Sequence, residues 1–149
     1  MEDVRQILVV SRSTESCKRA FHYGVSLAKT YRANLSILHI EYDPFLHWGG
    51  FVVPRLADFE NEYRSMMEKT RSDIADMIRS EKAEGLRIKE IVKEGEPVHE
   101  IMKAVADEKT DLLIMAAQDE SRIEHMVYGR FNHEVVRKLP CSVFLVKGE

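Results

Sequence analysis

The sequence predicts one α/β domain built as a doubly wound parallel sheet. Two observations carry this. Apolar periodicity switches between strand-like and helix-like segments along the whole chain, in the order β-α-β-α-β-α-β-α-β. Most of the strand-like segments are short apolar runs with few charges, as expected for strands covered on both faces. Strands that alternate with helices give parallel pairing, because each crossover is right-handed. At 149 residues and 17.3 kDa, a chain buries roughly two-thirds of its unfolded surface and needs no covalent staples. No internal repeat, low-complexity tract or linker interrupts it, so residues 1–149 read as a single domain.

The first strand is Ile7-Leu8-Val9-Val10. Ser13 and Thr14 are helix-capping candidates, and Glu15 falls where the helix dipole favours an acid. Ala20, Gly24, Leu27, Ala28 and Tyr31 then repeat at helical spacing to about Arg32. Leu35–Ile40 is the second strand. A long amphipathic helix follows, marked by Leu56, Phe59, Tyr63, Met66, Met67, Thr70, Ile74, Met77 and Ile78, and Gly85 closes it. Leu86–Val92 alternates apolar with charged residues, a half-exposed strand. Gly95-Glu96-Pro97 opens a short helix carrying Val98, Ile101, Met102 and Val105. Asp111–Ala117 is a very apolar fourth strand, Gln118–Tyr128 a polar loop, Arg130–Leu139 a helix and Ser142–Val146 the last strand.

Composition removes several function classes. A net charge of −3 and a pI near 6.1 give no basic field for nucleic acid. The longest stretch without a formal charge, Pro44–Pro54, is too short for a membrane span of about twenty residues. The acidic start at Met1-Glu-Asp shows no secretory pattern, so a cytoplasmic, reduced protein is expected. Cys17 and Cys141 cannot build a disulfide framework. The six histidines lack metal-ligand spacing, so no metal is expected.

Catalytic and nucleotide signatures are also missing. No Gly-x-Gly-x-x-Gly follows the first strand, no Gly-x4-Gly-Lys-(Ser/Thr) cradle occurs, and no Gly-x-Ser-x-Gly nucleophile elbow is present. No catalytic residues are therefore assigned. If the strand order is 3-2-1-4-5, ligands belong at the winding reversal between the ends of strands one and four. Ser11-Arg12-Ser13 and Ala116-Ala117-Gln118-Asp119 would line that crevice. The same order puts strands three and five at the edges. Arg87, Lys89 and Glu90 guard strand three, whereas Val143, Phe144, Leu145 and Val146 form a bare apolar edge. That edge is expected to pair with its copy in a two-fold dimer. The apolar cluster Phe45, Leu46, Trp48, Phe51, Val52 and Val53 either packs beneath the long helix or serves as a lid or partner patch.

The first strand with its turn, Gly95-x-Pro97, Asp111-Leu-Leu-Ile-Met115 and Leu139-Pro-Cys141 occur in an order that resembles the universal stress protein family along essentially the full chain. The resemblance implies a five-stranded doubly wound fold, dimerisation through the last strand and cytoplasmic proteins of stress survival. One branch of the family binds ATP through an Asp at the end of strand one and a Gly-x2-Gly-x9-Gly-(Ser/Thr) loop. The aligned positions here are Arg12, Ala116, Asp119, Gly129 and Arg130, so only Gly129 is retained. Ile40 matches the small apolar residue near the base. A degenerate cleft of Arg12, Ile40, Ala116, Asp119, Gly129 and Arg130 is expected, resembling the branch without the ATP motif, with ATP not a cofactor.

Three readings of Arg12 follow: an ion pair with Asp119 or Glu120 that seals the crevice, a basic pair with Arg130 that holds an anion, or a solvated arginine. The function expected is a non-enzymatic, homodimeric stress-response module acting through protein contacts. The alternatives are a nucleotide-dependent ATP switch and a weak phosphohydrolase.

Overall fold

A computed structural model describes residues 3–12, 14–41, 54–117 and 131–147, with the side chains of 54–59 left aside. Within them a five-stranded parallel sheet runs in the order β3-β2-β1-β4-β5. The strands are β1 (Gln6–Ser11), β2 (Asn34–Glu41), β3 (Ile88–Glu94), β4 (Leu112–Ala116) and β5 (Ser142–Val146). The helices are α1 (Ser16–Tyr31), α2 (Pro54–Ala83), α3 (Pro97–Asp107) and α4 (Phe131–Lys138). The fold class is the one the periodicity predicts, and the strand order is the 3-2-1-4-5 expected of the doubly wound sheet, with β3 and β5 as the edges.

Successive strand residues point to opposite faces, and the core divides accordingly. Ile7, Val9, Leu35, Ile37 and Ile114 pack with Phe21 and Val25 of α1 and Ile74 and Ile78 of α2. Leu8, Val10, Leu38, Ile40 and Leu113 pack with Val98 and Ile101 of α3 and with Phe131 and Val135 of α4. Tyr63 of α2 joins this second cluster. The helix is long enough to meet both clusters: its 30 residues span roughly 45 Å, whereas a strand of five to eight residues spans roughly 17–26 Å. Gly24 lets α1 approach β1 closely, since a Cβ there would collide with Val9 Cγ2.

Local chemistry corrects several expected details. Thr14 does not cap α1. Glu15 is the N-cap residue and makes no side-chain cap bond, while the Thr14 hydroxyl bonds to Cys17 Sγ at 3.1 Å and Ser16 Oγ at 3.2 Å. Ser13 lies outside the described residues. The third strand begins at Ile88 rather than Leu86, because the C-terminal cap of α2 takes Leu86: its N–H reaches the Glu81 carbonyl at 3.1 Å, and Gly85 adopts φ +100. Glu96 caps α3, its carboxylate accepting from the N–H groups of Val98 and His99 at 3.1 and 2.7 Å. Asp111 does not extend β4. Its carboxylate accepts from the Arg5 and Gln6 N–H groups at 2.9 and 2.8 Å, tying the start of β1 to β4.

Candidate functional site

The winding reversal falls where expected, with β2 on one side of β1 and β4 on the other. The chain leaves β1 toward α1 on one face, and α4 packs on the opposite face. The carboxyl ends of β1 and β4 consequently diverge into a crevice. Arg12, the residue after β1, occupies it.

Arg12 is the largest fully buried side chain among the described residues, at 1% exposure. A solvated arginine is thereby corrected: burial of a guanidinium requires partners, and these are built into the surrounding elements. Nη1 donates to Asn132 Oδ1 at 3.1 Å, and Nη2 donates to the Ala116 carbonyl at 3.1 Å. Asn132 Nδ2 donates to that same carbonyl at 2.9 Å, closing a three-cornered network between the ends of β1 and β4 and the first turn of α4. The guanidinium carbon lies 5.0 Å from the centroid of the Phe131 ring, within cation–π range. Below, the Arg12 N–H donates to Cys17 Sγ at 3.4 Å. Carbonyl oxygens and the negative face of an aromatic ring are what a fixed cation requires.

Of the residues singled out in the sequence, Arg12 and Ala116 meet directly. Ile40 is buried near the end of β2, on the same face as Phe131 and Val135. Asp119, Glu120, Gly129 and Arg130 lie outside the described residues, as does the apolar segment 45–53. Along the edge strand, Leu145 is 42% exposed, Val143 and Phe144 are half-buried and Val146 is buried. Phe144 packs edge-to-face on Tyr23 at 5.4 Å and is partly buried on the edge strand.

The residues the sequence did not disclose are Asn132 and Phe131. Both lie in a segment read as helical, but an asparagine near a helix start ordinarily signals capping. That its amide turns inward to Arg12 depends on the placement of α4. Among the described residues, no group of three or more His, Cys, Asp and Glu side chains is arranged to hold a metal. Cys17 is a small buried residue of the first helical turn. Burial pushes the Cys141 thiol above its usual range, so it carries no activated thiolate at neutral pH.

A second polar cluster borders the ends of β2 and β3. Burial pulls the His39 pKa below its ordinary value, Arg71 adds to that, and Glu90 and Glu41 oppose it. The nearer carboxylate, Glu90 Oε1, is 3.9 Å from Nε2. The ring is thus favoured neutral.

Comparison with known proteins agrees with this architecture. The sequence profile of the Universal stress protein family matches residues 3–147. The universal stress protein YxiE of Bacillus subtilis is 26% identical over 145 residues, covering 95% of this chain and 98% of YxiE. Protein MJ0577 of Methanocaldococcus jannaschii superposes with a TM-score of 0.70 at 20% identity, covering 99% of both chains. An Arabidopsis thaliana family protein solved with AMP bound superposes with a TM-score of 0.61 at 17% identity, covering 97% of this chain and 92% of its own. Strand order, helix placement and a match running almost end to end give one conclusion: the chain belongs to the universal stress protein family.

Proposed function

We propose that this chain is a non-enzymatic stress-response module whose nucleotide cleft is closed by its own Arg12, and that it acts through protein contacts as a cytoplasmic homodimer. The observation that carries the reading is the buried guanidinium between the ends of β1 and β4. In the ATP-binding branch of the family, this position holds an aspartate that would accept hydrogen bonds from the ligand. Here a cation about twice as long stands there, with two of its donors already committed to Asn132 and Ala116. To admit a ligand, the cleft must break these charge-assisted bonds, each contributing about 1.5–3 kcal/mol. Ala116 and Asp119 replace loop glycines that would let main-chain N–H groups approach a phosphate. The dimer is assigned to β5, where Leu145 is exposed on an edge strand without charged side chains.

The AMP held by the Arabidopsis relative favours the alternative, an ATP-dependent switch. Calorimetric titration with ATP and AMP separates the two. The wild-type chain is expected to give no saturable heat below millimolar ligand, and Arg12→Asp to gain binding. Micromolar binding of ATP by the wild type would overturn the closed-cleft reading. For the dimer, light scattering at micromolar concentration is expected to give twice the chain mass, and a monomer would remove that part of the proposal.

A further inference from the structure

We infer that the chain holds a ligand site at the amino ends of β1, β2 and β3, and that its ligand is a small hydroxylated carboxylate of the sugar-acid class. The site lies at the opposite ends of the strands from Arg12 and stands independently of the closed-cleft reading. A hollow of about 340 Å³ is lined there by Gln6, Asn34, Ser36, Arg87, Lys89 and Glu108, a volume at the lower end of the range for small-molecule sites. Strand register brings these side chains together. Gln6 stands opposite Asn34, Leu8 opposite Ser36, and Ser36 opposite Lys89. Leu8 belongs to the core that α3 and α4 cover, so Gln6, Asn34, Ser36 and Lys89 project from that same face. Glu108, the C-cap of α3, completes the rim.

Four of these side chains spend none of their hydrogen-bonding capacity on the protein. Among the described residues, the side chains of Gln6, Asn34, Ser36 and Arg87 have no hydrogen-bond or ion-pair partner. Ser36 carries the most weight, at 7% exposure. A polar group so enclosed is ordinarily hydrogen-bonded, and its hydroxyl opens onto the hollow. Charge then selects the ligand. Lys89 Nζ meets Glu108 Oε1 at 2.8 Å, and the two neutralise each other. Arg87 is left as the uncompensated charge among the lining residues, and a planar guanidinium takes a carboxylate through two parallel N–H···O bonds. The serine hydroxyl and the two amides both donate and accept, as the hydroxyl groups of a sugar acid require. A phosphate dianion would set its second charge against Glu108 and the negative end of the α3 dipole.

The test titrates D-glucuronate, neutral glucose and glucose 6-phosphate into the wild-type, Arg87→Ala, Arg87→Lys and Ser36→Ala chains, with 1H–15N spectra reading both affinity and place. Glucuronate is expected to give saturable shifts in the millimolar range at Gln6, Asn34 and Lys89 and none at Ala116. Arg87→Ala is expected to weaken binding roughly tenfold, the low end for charge-assisted bonds because Arg87 is exposed. Arg87→Lys, which keeps the charge without the fork, is expected to recover part of that loss. Ser36→Ala is expected to weaken binding by roughly three- to tenfold with a melting temperature no lower than wild type, since the hydroxyl has no protein partner to lose. A lower melting temperature in Ser36→Ala would make the hydroxyl structural and overturn its place in the site. No saturable shift with glucuronate, shifts centred on Ala116, equal affinity for glucose, or unchanged affinity in Arg87→Ala overturns the site itself. Tighter binding of glucose 6-phosphate than of glucuronate overturns the choice of a singly charged carboxylate.

Discussion

Truncating Arg12 to alanine tests the physical basis of the closed cleft without any ligand. Arg12→Ala removes the bonds to Asn132 and Ala116, each contributing about 1.5–3 kcal/mol because the donor is charged. It also removes the contact with Phe131, about 0.5–2 kcal/mol, and leaves a void at the sheet end. Working against these losses, burying a guanidinium carries a desolvation penalty of several kcal/mol that the variant no longer bears. The balance is a net loss of about 2–4 kcal/mol. For a domain of this length, each kcal/mol moves the melting temperature by roughly 2–4 °C, so a fall of about 5–15 °C is expected in a calorimetric or circular-dichroism melt. Arg12→Met keeps the aliphatic volume while discarding the charge and is expected to lie between alanine and wild type. A double-mutant cycle with Asn132→Ala should return a coupling of about 1–3 kcal/mol. Loss of less than about 0.5 kcal/mol in Arg12→Ala, the range of ordinary surface substitutions, would refute the claim that the guanidinium is a buried structural plug.

Three further outcomes follow from the geometry. Gly24→Ala places a methyl against Val9 Cγ2, a stiff β-branched atom in the core, and is expected to destabilise by about 1–2 kcal/mol in urea unfolding despite alanine's better helix propensity. His39 is favoured neutral in the folded chain. Its contribution is therefore fully present above the unfolded value of 6.5 and is lost as pH falls below it, because the unfolded chain binds the proton more readily. His39→Gln is expected to flatten the fall in stability between neutral pH and pH 5, and an unchanged slope would count against it. Leu145→Lys puts like charges across the proposed two-fold at β5, and light scattering should show a monomer whose circular-dichroism melt matches wild type.

How far the sequence reached differs between fold and cleft. The apolar runs Ile7–Val10, Leu35–Ile40 and Leu112–Ala116 disclosed the central strands, since a strand buried on both faces reads as a near-continuous apolar run, interrupted here by Ser36 and His39 alone. The third strand was displaced by two residues because a helix cap claimed Leu86, a preference that apolar alternation does not encode. Thr14 shows the same limit. It is a good capping residue by type, yet its hydroxyl found a nearer partner in Cys17.

By itself the sequence determined the element order and the presence of an arginine where the ATP binders of the family carry an aspartate. These are properties of residue type and spacing, which survive without coordinates. Only the tertiary structure decided what that arginine does. Its partners, Ala116 and Asn132, are 104 and 120 residues away along the chain, and no local pattern couples such distant residues. Burial and hydrogen-bond geometry exist only once β1, β4 and α4 have been brought together, and they make Arg12 part of the interior rather than of the solvated surface.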